Sequence, residues 1–187
     1  VPAAERGEAL TFSVSNDNNA LFSAQPALAA DGTLTFTAAA DAYGSATVSV
    51  SLSDDGGTAN GGADSSATVT LIITITPVND EPAFVSGGDV AVLEDAAAYS
   101  AAWASGISAG ANETQTLTFA VPNDNNALFS VQPAVAADGT LSFALSAGAN
   151  GVATVTVALS DDGGVANGGG DTPPSQRFTI TVAAVKD

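Results

Sequence analysis

The chain contains no cysteine. That excludes disulfides and any thiolate-held metal. It contains no histidine either, which removes the commonest general base and the commonest transition-metal ligand. Lysine and arginine together number 3 against 20 aspartates and glutamates, for a formal net charge of −17. That balance argues against nucleic acid and anionic membrane surfaces as partners, which need Lys and Arg to neutralise phosphate. No run of 18 apolar residues occurs, so no membrane insertion is expected. The first residues carry no basic stretch followed by an apolar one, so Val1 does not open a secretion signal. The start reads as a cut inside a longer chain.

What is present is a polar, core-forming sequence. Of 187 residues, 45% are hydrophobic and only 12% charged, enough for one or two domains. The acidic excess suits cation binding or salty surroundings, or serves solubility alone.

The dominant feature is an internal repeat. Sliding the sequence by 107 residues places 1–80 on 108–187 without a gap, with 45 identities in 80 positions. Asn16-Asp17-Asn18-Asn19-Ala20-Leu21-Phe22-Ser23 recurs from Asn123 to Ser130, and Ser53-Asp54-Asp55-Gly56-Gly57 recurs from Ser160 to Gly164. A period of this length is a whole small domain rather than a solenoid turn. Two domains are therefore expected, at 1–80 and 81–187. Only the second is complete, because the first lacks the counterpart of residues 81–107. Its sheet edge and core are then open, to be covered by preceding sequence or by a strand added from another chain; preceding sequence is the preferred reading.

Apolar alternation bounded by Gly, Asn, Asp and Pro marks seven strands in the complete copy, at 84–93, 99–107, 116–121, 127–131, 140–145, 153–160 and 177–185. Leu117, Phe119 and Val121 share a face, as do Leu141, Phe143 and Leu145, then Val155, Val157 and Leu159, then Phe178, Ile180 and Val182. Threonines occupy the opposite face. Seven strands in this length predict an all-β fold, a Greek-key sandwich of antiparallel sheets. The alanine-rich stretch 96–104 favours helix on propensity, but a helix there breaks the even strand spacing.

If successive strands run between two poles, acidic residues gather at both. The near pole of the complete copy receives Asn112, Glu113, Asp138, Asp161 and Asp162; the far pole receives Glu94, Asp95, Asp124 and Asp187. The connector, Pro77-Val78-Asn79-Asp80-Glu81-Pro82-Ala83-Phe84, is stiffened by two prolines. It also carries hard oxygen ligands of the kind Ca²⁺ prefers. It is expected to bring the far-pole acids of the first copy, Asp17, Asp41, Asn79 and Asp80, against the near-pole acids of the second. Ca²⁺ would turn that repulsion into a joint.

Residues 78–84 resemble the V-N-D-x-P-x-F linker of cadherin repeats. Val92-Leu93-Glu94-Asp95 is similar to the V-x-E motif of their first strand, and Leu52-Ser53-Asp54 and Leu159-Ser160-Asp161 to their A-x-D. The chain also resembles the cadherin-like and Ig-like tandem repeats of giant bacterial surface adhesins, the RTX-type and biofilm-associated class. There D-G-T-L-x-F and D-D-G-G-x-A-N-G-G recur. The resemblance implies tandem cadherin-like sandwiches, the first incomplete. It implies Ca²⁺ held by Asn79, Asp80, the Glu81 carbonyl and Asp161. Asp54 would serve an equivalent upstream joint, and Glu94 and Asp187 a downstream one. Departures bear on the ion count. Pro77 replaces the first linker acid, Lys186 the linker Asn of the second copy, and Asn112-Glu113 is the nearest counterpart of D-x-D. One or two ions per joint are implied, with affinity of about 10⁻⁴–10⁻³ M, as for extracellular modules.

Plainer readings stand beside these. Asp54-Asp55-Gly56-Gly57 and Asp161-Asp162-Gly163-Gly164 are metal ligands or simple hairpin turns, with metal preferred for the first acid of each. Asn123-Asp124-Asn125-Asn126 lacks the closing Glu of an EF-hand and reads as an Asx turn. The segment Asn167-Gly168-Gly169-Gly170 reads as flexible turn. Tyr99 and Trp103 read as core or half-buried residues in preference to a sugar-stacking platform, with a small exposed patch left open by their spacing. Glu94-Asp95 lacks any partner for glycosidase chemistry. The expected function is therefore non-enzymatic: a Ca²⁺-rigidified extracellular spacer of a cell-surface adhesin, with neighbouring repeats as partners. The alternative is a carbohydrate-binding or homophilic protein-binding module.

Overall fold

The clearest alternation in the chain builds the longest strand. In β13 (Gly151–Ser160), Ala153, Val155, Val157 and Leu159 are fully buried, while the residues between them are more exposed. The two valines and the leucine each contribute about 1.5–3 kcal/mol on leaving water, so the register cannot slip by one residue without losing the whole set. The computed structural model describes residues 9–186. They form two units dividing between Pro77 and Val78, so the connector from Val78 onward groups with the second.

Unit 2 is a two-layer sandwich. One sheet has the order β10 (Thr118–Ala120), β13, β14 (Gln176–Ala183), β7 (Val90–Leu93). The facing layer has β11 (Phe129–Val135), β12 (Thr140–Leu145) and β8 (Tyr99–Ala102), and β6 (Ala83–Val85) and β9 (Ser105–Ser108) form a separate two-stranded sheet. Leu141, Phe143, Phe178, Ile180 and Val182 point into the core, as their alternation predicts. Leu117, Phe119, Val121 and Leu145 are half-buried against the same core. Trp103 closes one end, its ring 4.4 Å from Phe178 and its Nε1–H donating to the Gly88 carbonyl at 2.8 Å.

Several sequence expectations need correction. The strand expected at 84–93 is two, because the chain leaves β9 at Val85, turns through Gly87 and Gly88, and re-pairs as β7 with β14. That second pairing is parallel, so the sheets are not purely antiparallel. The strand expected at 99–107 is also interrupted. Trp103 N and Ala104 N both donate to the Gly139 carbonyl, which bends the chain between β8 and β9. No helix forms over 96–104. The strand expected at 127–131 begins later. Residues 126–128 form a single 3₁₀ turn that drops Leu128 into the core, and β11 starts at Phe129.

Unit 1 has only five strands among its described residues. They are β1 (Thr11–Asn16), β2 (Phe22–Leu28), β3 (Leu34–Ala38), β4 (Gly44–Ser53) and β5 (Val69–Ile75), in sheets β1-β4-β5 and β2-β3. They match β10 to β14 one for one under the 107-residue shift. Leu21, Phe22, Ala46, Val48 and Ile73 form its small core.

Candidate metal centre

The site is built where β13 ends. Asp161 Oδ1 accepts from Gly163 N at 2.9 Å, closing an Asx turn. Asp162 Oδ1 accepts from Thr116 N at 2.8 Å, tying the turn to the segment that leads into β10. That bond holds the Asp162 carboxyl below the usual carboxylate range. On the leading segment, Glu113 and Gln115 stand two residues apart and both reach the connector. Both Glu113 carboxylate oxygens accept from Asp80 N, at 3.1 and 3.2 Å. Gln115 Nε2 donates to Asn79 Oδ1 at 2.7 Å.

Asn79 is the hub. Its Nδ2 donates to Asp161 Oδ1 at 2.9 Å and to the Gly170 carbonyl. Its own carbonyl accepts from Gly170 N at 3.0 Å. Glycines make room for this. A Cβ at Gly163 would be driven into the Asn79 amide, one at Gly169 would meet the Asn79 backbone at 2.8 Å, and one at Gly170 would strike the Glu81 side chain. Gly169 and Gly170, read from sequence as flexible turn residues, are therefore a fitted seat for the connector. Pro82, fully buried, anchors its far end.

Two oxygens at this pole are buried and accept nothing: Asp161 Oδ2 and Gln115 Oε1. Both residues flank the Asn79 amide. An acceptor left in that state costs about 1–3 kcal/mol, and a hard cation is one species that satisfies two such oxygens together. Among the described residues, no three acidic side chains converge as a metal cluster. The oxygens that gather here come from one carboxylate and from amides, with the Glu113 carboxylate alongside on Asp80 N.

No protein-family model matches the sequence, and no curated protein matches it. Solved structures do. Human protocadherin-24 EC1-2 in its form II crystal superposes with a TM-score of 0.56 at 15% identity, over 96% of this chain and 84% of that one. Another crystal structure of human protocadherin-24 EC1-2 gives 0.53 at 14% identity, over 95% and 82%.

The fold is a cadherin-like β-sandwich.

The residues expected as ligands of this cadherin-like chain do not all gather in one place. Asn79, Asp80, Glu113, Asp161 and Asp162 come together at the near pole of unit 2, with the Glu81 side chain lying over Gly170. Asn112 occupies a left-handed turn position, φ 59°. Asp54 and Asp55 repeat the turn chemistry in unit 1, accepting from Gly56 N and Ala9 N at 2.9 Å each. Glu94 lies elsewhere, and Asp187 lies outside the described residues. Gln115 was missed by sequence reasoning. Its signal is the spacing Glu113-Thr114-Gln115, which puts two oxygen-bearing side chains on one face of an extended segment.

Tyr99 and Trp103 belong to the core: Tyr99 stacks on Phe143 at 4.8 Å, and Trp103 is 6% exposed. The asparagine run is an Asx turn, with Asn123 Oδ1 accepting from Asn125 N at 3.0 Å and Asp124 Oδ1 from Thr154 N at 2.7 Å.

Glu94 is a staple. One carboxylate oxygen accepts from Val185 N at 2.8 Å and the other from Asn150 Nδ2 at 2.9 Å. The Val185 amide, then Asn150, hold its carboxyl below the usual glutamate range. A carboxyl depressed in the folded state contributes stability above its unfolded pKa of about 4.3 and loses it as pH falls through the folded value. Wild type should therefore melt above Glu94→Gln at pH 6 in 150 mM salt. The gap should close as the pH drops below about 4. Calorimetric melting of both proteins across that range checks this; a gap independent of pH counts against the staple.

Proposed function

We propose that this chain is a Ca²⁺-braced structural repeat of an extracellular surface protein, a spacer rather than an enzyme. The observation that carries this reading is the pair of buried, unpartnered oxygens, Asp161 Oδ2 and Gln115 Oε1, beside the Asn79 amide. The oxygen-only donor set suits Ca²⁺. Asp161 and Gln115 would hold the ion, with Asn79, Glu113 and Asp80 completing its surroundings. The bound ion would supply positive charge where the connector meets the pole of its own unit, fixing the connector's exit direction. The cadherin-like fold, the internal repeat and the acidic balance support a role in projecting adhesive domains from a cell surface. Further repeats of the same kind would be its partners. The absence of histidine and cysteine supports a role without catalysis.

Titration of the 187-residue chain with CaCl₂ after EDTA treatment tests the reading. With affinity of about 10⁻⁴–10⁻³ M, 10 mM Ca²⁺ stabilises unit 2 by about 1.4–2.7 kcal/mol. The gain should vanish in Asp161→Ala and should not be reproduced by NaCl at matched ionic strength. An unchanged melting curve with and without Ca²⁺ would remove the proposal.

A further inference from the structure

Unit 2 carries a polar groove on the solvent face of the sheet β10-β13-β14-β7, and it shares no residue with the candidate metal centre. Pro122, Asn123, Asp124, Thr154, Thr156 and Arg177 line it, around a volume of about 310 Å³, at the small end of ligand sites. Strand alternation builds it. Burial of Ala153, Val155 and Val157 turns Thr154 and Thr156 outward, and burial of Phe178 turns Arg177 outward, directly across from Thr156. Residues 122–124 run on past β10 and form the other wall. Thr156 N donates to the Pro122 carbonyl at 2.9 Å, and Asp124 N to the Thr154 carbonyl at 3.2 Å. The Asn123 amide is fixed in that wall, donating to Gln132 Oε1 at 2.9 Å and accepting from Asn125 N at 3.0 Å.

Two opposite charges line the groove without meeting. Arg177 is one of 3 cationic residues in a chain with 20 acidic ones, yet no described residue bonds its guanidinium. Asp124 is held elsewhere, its Oδ1 accepting from Thr154 N at 2.7 Å. The Thr154 amide, then its hydroxyl, hold the Asp124 carboxyl below the usual carboxylate range, so it is charged. A carboxylate has about four acceptor positions, so acceptor capacity is left over. The repeat supplies a contrast. Unit 1 keeps Asn16, Asp17 and Thr47 but has Ser15, Ser49 and Thr70 in place of Pro122, Thr156 and Arg177. The guanidinium is what unit 2 adds to a shared framework.

We infer that this groove seats a neutral saccharide, with two adjacent ring hydroxyls bridging Asp124 and Arg177. One hydroxyl would donate to the Asp124 carboxylate and its neighbour would accept from the guanidinium. Pro122 would offer its ring to the sugar's C–H groups. Hydrogen bonds in which one partner is ionised are the strong ones, and both of these are of that kind. Two observations select this chemistry. The groove holds one charge of each sign, so its own balance is neutral, while the chain's net charge of −17 repels acidic ligands. The main chain here is already paired on both sides, β13 with residues 122–124 on one and with β14 on the other. No strand edge is offered to a peptide, so recognition falls to side chains, which suits a ligand made of hydroxyls. The inference is independent of a metal at the connector.

The test titrates the isotope-labelled 187-residue chain with the methyl glycosides of glucose, galactose and mannose in separate runs, read by amide chemical shifts. Salt is held at about 150 mM, where long-range repulsion is screened. A shallow groove with no aromatic ring to stack on should hold at least one of the three with a Kd of about 1–10 mM. Saturable shifts are expected at Asp124, Thr154, Thr156 and Arg177, and none at Asp17, Thr47, Ser49 and Thr70, the control within the same molecule. Arg177→Thr and Arg177→Gln should each weaken binding about tenfold or more. Neither should lower the melting temperature, because Arg177 is exposed and Thr70 holds its position in β5. Four outcomes overturn the inference. One is no saturable shift with any of the three glycosides. Another is equal shifts in both units, which means a general affinity of hydroxyl-rich sheets. A third is binding that survives both Arg177 substitutions. The last is N-acetylglutamate moving the same amides at lower concentration, which makes the groove a site for acidic peptides.

Discussion

Phe143→Ala is expected to cost unit 2 about 3–5 kcal/mol, whereas Phe36→Ala costs unit 1 about 1–2 kcal/mol. The two phenylalanines are the same residue of the repeat. Each makes an edge-to-face contact with its neighbour, Phe129 at 5.6 Å and Phe22 at 5.7 Å. Only Phe143 is stacked on the other face, by Tyr99 at 4.8 Å. Truncating it leaves a cavity walled by buried side chains. Truncating Phe36 trims a side chain that already meets solvent. Urea unfolding followed by hydrogen exchange resolves the two units. Equal losses at the two positions would mean that the strand across from Phe143 contributes nothing to its burial.

A second matched pair tests the same difference through the backbone. Gly139 has φ +86° and Gly32 φ +87°, so alanine at either site adopts a left-handed conformation costing about 1–2 kcal/mol. At Gly32 the new methyl meets nothing within 4 Å. At Gly139 it is driven into the Ala104 carbonyl, with Ile107 Cδ1 at 3.2 Å. That carbonyl cannot give way easily, because Trp103 N and Ala104 N are both bonded to the Gly139 carbonyl. Gly139→Ala should therefore exceed Gly32→Ala by about 1–3 kcal/mol. Thermal melts of the two variants give the comparison, and identical shifts would refute it.

The candidate site was legible in part. Asp161 and Asp162 announce themselves as acids at the end of a long alternating strand, and Asn79 and Asp80 as oxygen ligands between prolines. What sequence spacing could not convey is that Asn79 is the hub, because its three partners lie 36, 82 and 91 residues away. Gln115 was obscured by its chemistry, since an uncharged amide draws no attention in a search for acids. Glu94 looks from sequence like a ligand for a downstream ion. In the structure each of its oxygens accepts one hydrogen bond, from Val185 N and from Asn150 Nδ2.

The sequence by itself determined the all-β class, the 107-residue repeat and the inward faces of β12, β13 and β14. Period-two alternation and self-similarity are local properties that survive without knowledge of partners. It could not determine where strands break. The division of β6 from β7 and of β8 from β9 depends on which strand the chain pairs with on each side of a bend, and only the assembled sandwich decides that. The open core of the first unit was legible from the missing counterpart of residues 81–107, but which side chains it exposes, Phe36 among them, only the structure decided. Burial depends on the strands at the sheet edges as well as on the facing layer, and in unit 1 β3 and β5 each have a single described neighbour.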